Sequence, residues 1–199
     1  MVHLSYTVRY RMTRGVETGI MDSDERQKQA DRILFEFGLL EKLKDYGTPH
    51  IVGSYRMDMM AWNDLDIDIE NEDVTVESLY DLSQYLIKTF RPVWYEAKET
   101  QDESGKTVWF HGFETTITGE LWNVDLWFFD KKTIKEMEAY CDGIKERATA
   151  EQKNTIVAIK KELTSRNLYS FDKYKSMDVY EAVLEHRVKN AKEFLALYE

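Results

Sequence analysis

The stretch VGSYRMDMMAWNDLDIDIE, residues 52–70, contains the pattern that decides the fold. Acidic and apolar residues alternate strictly from Asp64 to Glu70, and the apolar partners are leucine and isoleucine. This period of two is typical of a β-strand, whose successive side chains point to opposite faces. All the acidic side chains would therefore share one face, about 7 Å apart from one to the next. Such a row of carboxylates is unfavourable unless water or a cation offsets the repulsion.

A glycine and a serine precede this row and suggest a phosphate site. Gly53-Ser54 follows a short strand-like segment, and a glycine there permits an unusual dihedral or a close backbone approach. If a helix starts at this point, its free N–H groups and the serine hydroxyl form an anion site suited to phosphate. The segment 55–63 then leads to the first aspartate. A phosphate site facing paired carboxylates is the arrangement that holds Mg²⁺ on a triphosphate.

A third carboxylate is found on a later strand, in ELWNVDLWFFD, residues 120–130. One face of this strand is apolar and consists of Trp122, Val124, Leu126 and Phe128. Asp125 lies on the other face as a lone carboxylate in a strongly apolar strand, where a buried charge needs a partner or a metal. It is either a further ligand of the kind that two-metal phosphoryl transfer requires, or a member of a structural ion pair.

Together these residues resemble the signature of the polymerase-β-like nucleotidyltransferase superfamily. The signature is Gly-Ser, a gap of nine or more residues, an Asp–apolar–Asp–apolar pair and a later acid. The matching positions are Gly53, Ser54, Asp64, Asp66 and Asp125. The resemblance covers residues 50–130, and the members most similar in length include the antibiotic nucleotidyltransferases and the minimal nucleotidyltransferases.

The resemblance implies a role for each matching residue. The three aspartates would be the catalytic and metal-binding residues, and the Gly-Ser pair would bind the nucleotide phosphates. Asp66 and Asp68 also fit the pattern with a longer gap, but Asn63 before Asp64 matches the small polar residue that usually precedes the motif. Arg56 is a further nucleotide-binding candidate, with pairing to the nearby Asp58 as the alternative.

The implied activity is Mg²⁺-dependent transfer of a nucleoside monophosphate, AMP in the first instance, from ATP or another NTP to a hydroxyl group, with release of pyrophosphate. The resemblance suggests a small hydroxylated acceptor such as an antibiotic, and a net charge of −10 and a pI of about 5.0 argue against broad nucleic-acid binding. The alternatives are an antitoxin-like or regulatory protein with this fold that acts on a partner protein, and a catalytically silent nucleotide-binding relative.

The predicted fold is α/β (α+β), with a nucleotidyltransferase-type mixed sheet, flanking helices and a C-terminal helical segment. The predicted domains are a catalytic domain, 1–130, and a helical segment packing on it, 131–199. Helices are expected over 24–47, 76–90, 132–141, 149–165 and 177–197, and strands over 50–52, 64–70, 93–98, 107–117 and 121–129, with a turn at 102–105. The sequence shows neither a signal peptide nor an apolar run of membrane-spanning length, so we expect a cytoplasmic location.

The same residues fit other kinds of strand or metal site less well. A solvated outer strand would also alternate, but it leaves the Gly-Ser pair and the third acid unexplained. A calcium loop starting at Asp66 would need glycine where Asn71 stands. A glycosyltransferase-type Asp-x-Asp site has no role for the Gly-Ser pair. His111 is expected to be a core residue. Lys160-Lys161 are expected to lie on a solvated helix face, with contact to phosphates as the alternative.

Overall fold

The computed structural model describes residues 23–101, 105–170 and 173–198. The helices are α1 (Ser23–Asp31), α2 (Leu39–Leu43), α3 (Gly53–Arg56), α4 (Val76–Phe90), α5 (Lys131–Arg147), α6 (Ala150–Ser165), α7 (Ser176–Leu184) and α8 (Ala191–Tyr198). The strands are β1 (Thr48–Ile51), β2 (Asp64–Glu70), β3 (Trp94–Gln101), β4 (Thr107–Ile117) and β5 (Glu120–Phe129). The alternation of residues 64–70 does form a strand, as predicted.

The strands form a mixed sheet in the order β1-β2-β5-β4-β3. β2 and β5 are parallel neighbours, and the other pairs are antiparallel. The parallel register places Asp66 directly opposite Asp125. The predicted mixed α/β fold is thus confirmed, and the two acidic segments lie on adjacent strands.

One face of the sheet carries the main hydrophobic core. Its buried strand residues are Leu65, Ile67, Ile69, Phe113, Ile117, Trp122, Val124, Leu126 and Phe128. They pack against α1, α2 and α4, whose spacing of leucines at 79, 82 and 86 gives the helix one apolar side. Because alternate residues face alternate ways, the acidic row of β2 is left on the opposite face.

Several predicted helices have different bounds. The first is interrupted by a π-helical turn, Arg32–Glu36, and by Gly38, whose positive φ of 72° leaves the helical region. α5 is longer than predicted and begins after Asp130, whose side chain accepts a hydrogen bond of 2.7 Å from the backbone N–H of Thr133. The predicted last helix is divided into α7 and α8. The acidic part of the predicted turn, 102–104, lies outside the described residues.

The helices α5 to α8 build a second apolar cluster. Met57 and Met59, which follow α3, pack into it, and so do Cys141 and Ile144 of α5. The chain thereby joins the helical region to the edge of the sheet where the acidic row begins. The predicted division at residue 130 stays a prediction. No helix in the described part of the chain has the length and apolar character needed to cross a membrane, and the predicted location stays a prediction.

Candidate active site

The site is formed where the start of the acidic strand β2 lies beside the middle of its parallel neighbour β5. Asp64 and Asp66 lie on β2, and Asp125 lies on β5 on the same face of the sheet. Each carboxylate offers one oxygen, and these three oxygens lie within 4.8 Å of one another. Two aspartate pairs fit the sequence pattern, Asp64 with Asp66 and Asp66 with Asp68. The geometry brings the first of these pairs together with Asp125.

Burial and mutual repulsion dominate the electrostatics of these carboxylates. Burial, reinforced by the charge of Asp64, raises the pKa of Asp66 to about 8. The pKa of Asp125 is also well above its ordinary value, because of burial and then of the charges on Asp64 and Asp66. These shifts mean that the ionised cluster is disfavoured unless a positive charge compensates it.

The chemistry of the donor set fits a magnesium ion. Mg²⁺ prefers oxygen ligands and is usually held by one or two carboxylates together with phosphate oxygens and water. One buried oxygen of Asp125, Oδ1, has no hydrogen-bond partner among the described residues. A buried charged oxygen without a partner is costly, and a cation would offset that cost.

Polar neighbours hold Asp64 in place. The side chain of Asn123, its partner in the β2–β5 register, donates a hydrogen bond of 2.8 Å to Oδ1. The indole Nε1 of Trp62 donates a longer bond of 3.4 Å to Oδ2. The carboxylate therefore has a fixed orientation on the site face.

Gly53 is required by the close approach of Asp66. Its φ is +62°, a conformation that side chains other than glycine rarely adopt. A Cβ atom at this position would lie 2.1 Å from Oδ2 of Asp66. The sequence suggested a role for this glycine in close backbone approach, and the structure identifies the neighbour as a carboxylate of the site.

The two remaining nucleotide-binding candidates have different surroundings. Ser54 is buried at the start of the short helix α3. Arg56 points to α5, where its Nε and Nη2 atoms donate bonds of 2.7 and 2.8 Å to Asp142 and its Nη1 atom donates a bond of 2.8 Å to Glu138. The alternative pairing of Arg56 with Asp58 is wrong, because Asp58 pairs with lysines of α5 and α6. The nucleotide-binding roles of Ser54 and Arg56 stay predictions.

Asp68 is a buried carboxylate beyond the triad. Only 2% of its surface is exposed. Its Oδ2 atom has no hydrogen-bond partner within the described ranges. Burial, followed by the charges of Asp66 and Glu138, raises the pKa of Asp68 well above its ordinary value.

Lys160 is a buried cation beside the triad. The expectation of a solvated face is wrong for this residue, because α6 buries it with only 3% exposed. Its Nζ atom lies 4.5 Å from the ring centre of Trp62, and 5.6 and 5.8 Å from those of Tyr180 and Tyr169. Its charge also lowers the pKa of Asp66, which places it within electrostatic reach of the triad. The helical spacing of α6 does contain the signal, because Lys160 lies four residues after Ile156 and three before Leu163, on the buried side of the helix.

His111 is a core residue, as expected. It is fully buried, and its Nδ1 atom lies 2.8 Å from the hydroxyl oxygen of Tyr95. Burial lowers the pKa of His111 to about 4, so the imidazole is neutral near pH 7. It lies on the face of the sheet opposite the triad, because residues directly paired across strands share a face and its partner is Leu126.

Solved structures with the same fold were found by structural comparison. A Cid1 poly(U) polymerase with Mg 3′-dATP bound has a TM-score of 0.60 and 18% identity, over 83% of this chain and 50% of that one. The same polymerase with MgGTP bound has a TM-score of 0.59 and 18% identity, over 83% of this chain and 51% of that one. A cytoplasmic RNA terminal U-transferase has a TM-score of 0.57 and 18% identity, over 84% of this chain and 50% of that one. The chain spans about half the length of these structures. No protein-family model matches the sequence, and no curated protein does.

These similarities confirm the fold that the resemblance implied, that of the polymerase-β-like nucleotidyltransferases. The magnesium nucleotides in two of the structures agree with the predicted Mg²⁺ and NTP. The prediction of a small-molecule acceptor without broad nucleic-acid binding is wrong, because the proteins that share the fold are a poly(U) polymerase and an RNA terminal U-transferase. That prediction relied on the net charge of −10, and net charge describes the whole chain instead of its site.

Proposed function

We propose that this protein is a Mg²⁺-dependent nucleotidyltransferase that moves a nucleoside monophosphate from an NTP to a hydroxyl group at the end of a nucleic-acid strand. The observation that carries the proposal is the convergence of three carboxylates, Asp64, Asp66 and Asp125, within 4.8 Å, in a sheet with the nucleotidyltransferase fold. The acceptor class is supported by the RNA-directed activities named for the structures with this fold.

The reaction exchanges one phosphoester linkage for another. The acceptor oxygen forms a bond to the α-phosphorus, the bond from this phosphorus to the bridging oxygen of the β-phosphate breaks, and pyrophosphate leaves. Mg²⁺, when bound, would neutralise the phosphate oxygens and polarise the α-phosphoryl group. Asp64 and Asp66 would hold it, together with Asp125.

The side chains around the triad have separate tasks in this proposal. Asp125 orients the attacking hydroxyl group and accepts its proton, since it is the acid that comes from the second strand. The ammonium group of Lys160 supplies a positive charge for the phosphates beside Asp66. The rings of Trp62 and Tyr180 surround this ammonium group and exclude water from it, which strengthens its electrostatic effect.

Calorimetric titration with Mg²⁺ and each of the four NTPs tests the binding part. The wild-type protein is expected to bind an NTP only when the metal is present. Asp64→Asn combined with Asp66→Asn should abolish that binding. Asp68→Asn is the matched control, because it lies on the same strand and the same face outside the triad and should retain binding. Metal-dependent binding that survives the double substitution would refute the assignment of the site.

Extension of a labelled oligonucleotide with a free 3′-hydroxyl group tests the transfer. Asp125→Asn is expected to lower the rate of extension by at least about 100-fold, because proton transfer by a positioned group contributes roughly that factor. Its circular dichroism spectrum should match that of the wild type. Metal-dependent NTP binding without extension of RNA or DNA would instead indicate a silent nucleotide-binding protein or an acceptor of another class.

A further inference from the structure

A strip of the sheet beside Asp125 is not used by the triad. In the antiparallel registers, Asp125 lies opposite Gly112 of β4, and Gly112 lies opposite Glu96 of β3. Residues paired in this way share a face, and so do their neighbours two positions away. Trp94, Glu96 and Lys98 of the edge strand therefore face the same side as the catalytic carboxylates. All three are partly exposed.

Gly112 brings the indole ring of Trp94 close to the third carboxylate. A Cβ atom at position 112 would lie 3.0 Å from Cζ3 of Trp94, and 2.5 Å from Cζ of Phe110. The rings thus occupy the space that a side chain would need, directly beside the strand partner of Asp125. Adjacent strands are about 4.8 Å apart, so an aromatic surface lies one strand away from the acid that would receive the acceptor proton.

Lys98 places an ammonium group on the same strip, in an ion pair with Glu96. Its Nζ atom lies 5.3 Å from the ring centre of Phe110 and 3.1 Å from the carboxylate of Glu96. About 32% of the side chain is exposed, so the ammonium group can reach a ligand on the surface of the sheet.

We propose that Trp94 and Lys98 form the acceptor platform, which holds the end of a single-stranded nucleic acid. The terminal base stacks on the indole ring of Trp94, and an upstream phosphate pairs with the ammonium group of Lys98. Every base has a π face that can stack on an aromatic side chain, and a lysine neutralises backbone phosphate without reading sequence. The two residues lie four positions apart on β3, a distance of about 13 Å. The nucleic acid therefore runs along β3, with its 3′-hydroxyl group beside Asp125.

This inference rests on the proposed function, since it assigns the acceptor of that reaction. The test is the fluorescence anisotropy of short fluorescein-labelled oligoadenylates, one of RNA and one of DNA, titrated with the full chain. Trp94→Ala should weaken binding at least about fivefold, which is the lower end of the stacking effect. Trp94→Phe, which retains an aromatic ring, should recover most of the affinity.

The charge is tested by salt dependence. Lys98→Gln should reduce the slope of log affinity against log salt concentration by about 0.7, the value for one phosphate contact of a single strand. Lys88→Gln is the matched control, because this exposed lysine lies on α4, which packs on the other face of the sheet, and it should leave affinity and slope unchanged.

Titration with ATP and Mg²⁺ on the same variants separates this inference from the proposed function. Trp94→Ala and Lys98→Gln are both expected to bind the magnesium nucleotide as the wild type does, because the platform lies outside the triad. If the wild type binds the nucleotide but neither oligonucleotide, or if Trp94→Ala and Lys98→Gln bind oligonucleotide like the wild type, the platform is refuted and the proposed nucleotide binding stands. If the wild type does not bind the magnesium nucleotide, the proposed function itself fails. Should Trp94→Ala not fold, Lys98→Gln and Trp94→Phe carry the test.

Discussion

The contact between Gly53 and Asp66 allows a quantitative test of the site. Gly53→Ala adds a single methyl group 2.1 Å from Oδ2 of Asp66, whereas real Cβ contacts are essentially never below 3.0 Å. The carboxylate must therefore retreat by about 0.9 Å, the difference between these two distances. A misplacement of about 1 Å in a reactive geometry can reduce the rate by roughly 100-fold. We expect a loss of this size in nucleotidyl transfer, with weaker metal-dependent NTP binding.

The backbone strain of the same substitution must be separated from the collision. Gly38 has a similar positive φ, +72°, and no atom of the described residues lies within 4 Å of the added Cβ. Gly38→Ala should therefore cost only the left-handed strain, about 1–2 kcal/mol, partly offset by the lower entropy of the unfolded chain. Gly53→Ala should lower the free energy of unfolding by more than this control does.

Urea denaturation, calorimetric titration with MgATP and the oligonucleotide extension assay provide the three measurements. In an Asp66→Ala background Oδ2 and Cγ are absent and only the Cβ contact of 3.2 Å remains, so the added cost of Gly53→Ala should fall most of the way to that of the control. The reasoning is refuted if Gly53→Ala binds MgATP and turns over like the wild type. It is also refuted if the excess destabilisation persists in the Asp66→Ala background.

Three further predictions concern buried titratable side chains. The pKa of His111 is lowered from 6.5 to about 4, so the unfolded chain takes up the imidazole proton at a higher pH than the folded chain does. The free energy of unfolding should therefore fall by up to about 3 kcal/mol as the pH is lowered from 6.5 to 4. His111→Gln should remove this part of the pH dependence. Asp68→Asn should stabilise the protein at pH 7, where a raised carboxyl pKa makes ionisation costly in the folded state, and this gain should vanish near pH 4 in the same denaturation assay. Lys160→Met should weaken MgATP binding by at least about tenfold, as expected for a charge-assisted contact, while the exposed Lys192→Met should not; equal affinities would exclude Lys160 from the nucleotide site.

The sequence was sufficient to predict those parts of the fold and site that depend on local patterns. The alternation from Asp64 to Glu70 marks both the strand and the face that its carboxylates share. The apolar alternation around Asp125 marks the second strand and identifies this acid as an exception on it. These predictions succeed because side-chain direction in a strand depends only on position along that strand.

Features that depend on which elements meet in space were not predicted. The helical period places Lys160, unlike Lys161, on the buried side of α6 with Ile156, but its contact with Trp62 depends on how the helix packs. Arg56 is two residues from Asp58, yet its partners Glu138 and Asp142 come from a helix more than 80 residues later. Net charge failed as a guide to the acceptor for a related reason, because it sums all side chains and contains no information on their positions.

The parallel pairing of β2 with β5 also has a consequence for folding. Asp66 and Asp125 face each other across this pairing, but 58 residues separate them along the chain, including the whole of α4, β3 and β4. Closing a loop of this length costs entropy before any contact compensates for it, so parallel pairings of this kind form slowly. The carboxylates consequently remain far apart in partly folded chains. Metal-dependent nucleotide binding would then develop only with the last long-range step of folding, and it could report on that step during refolding.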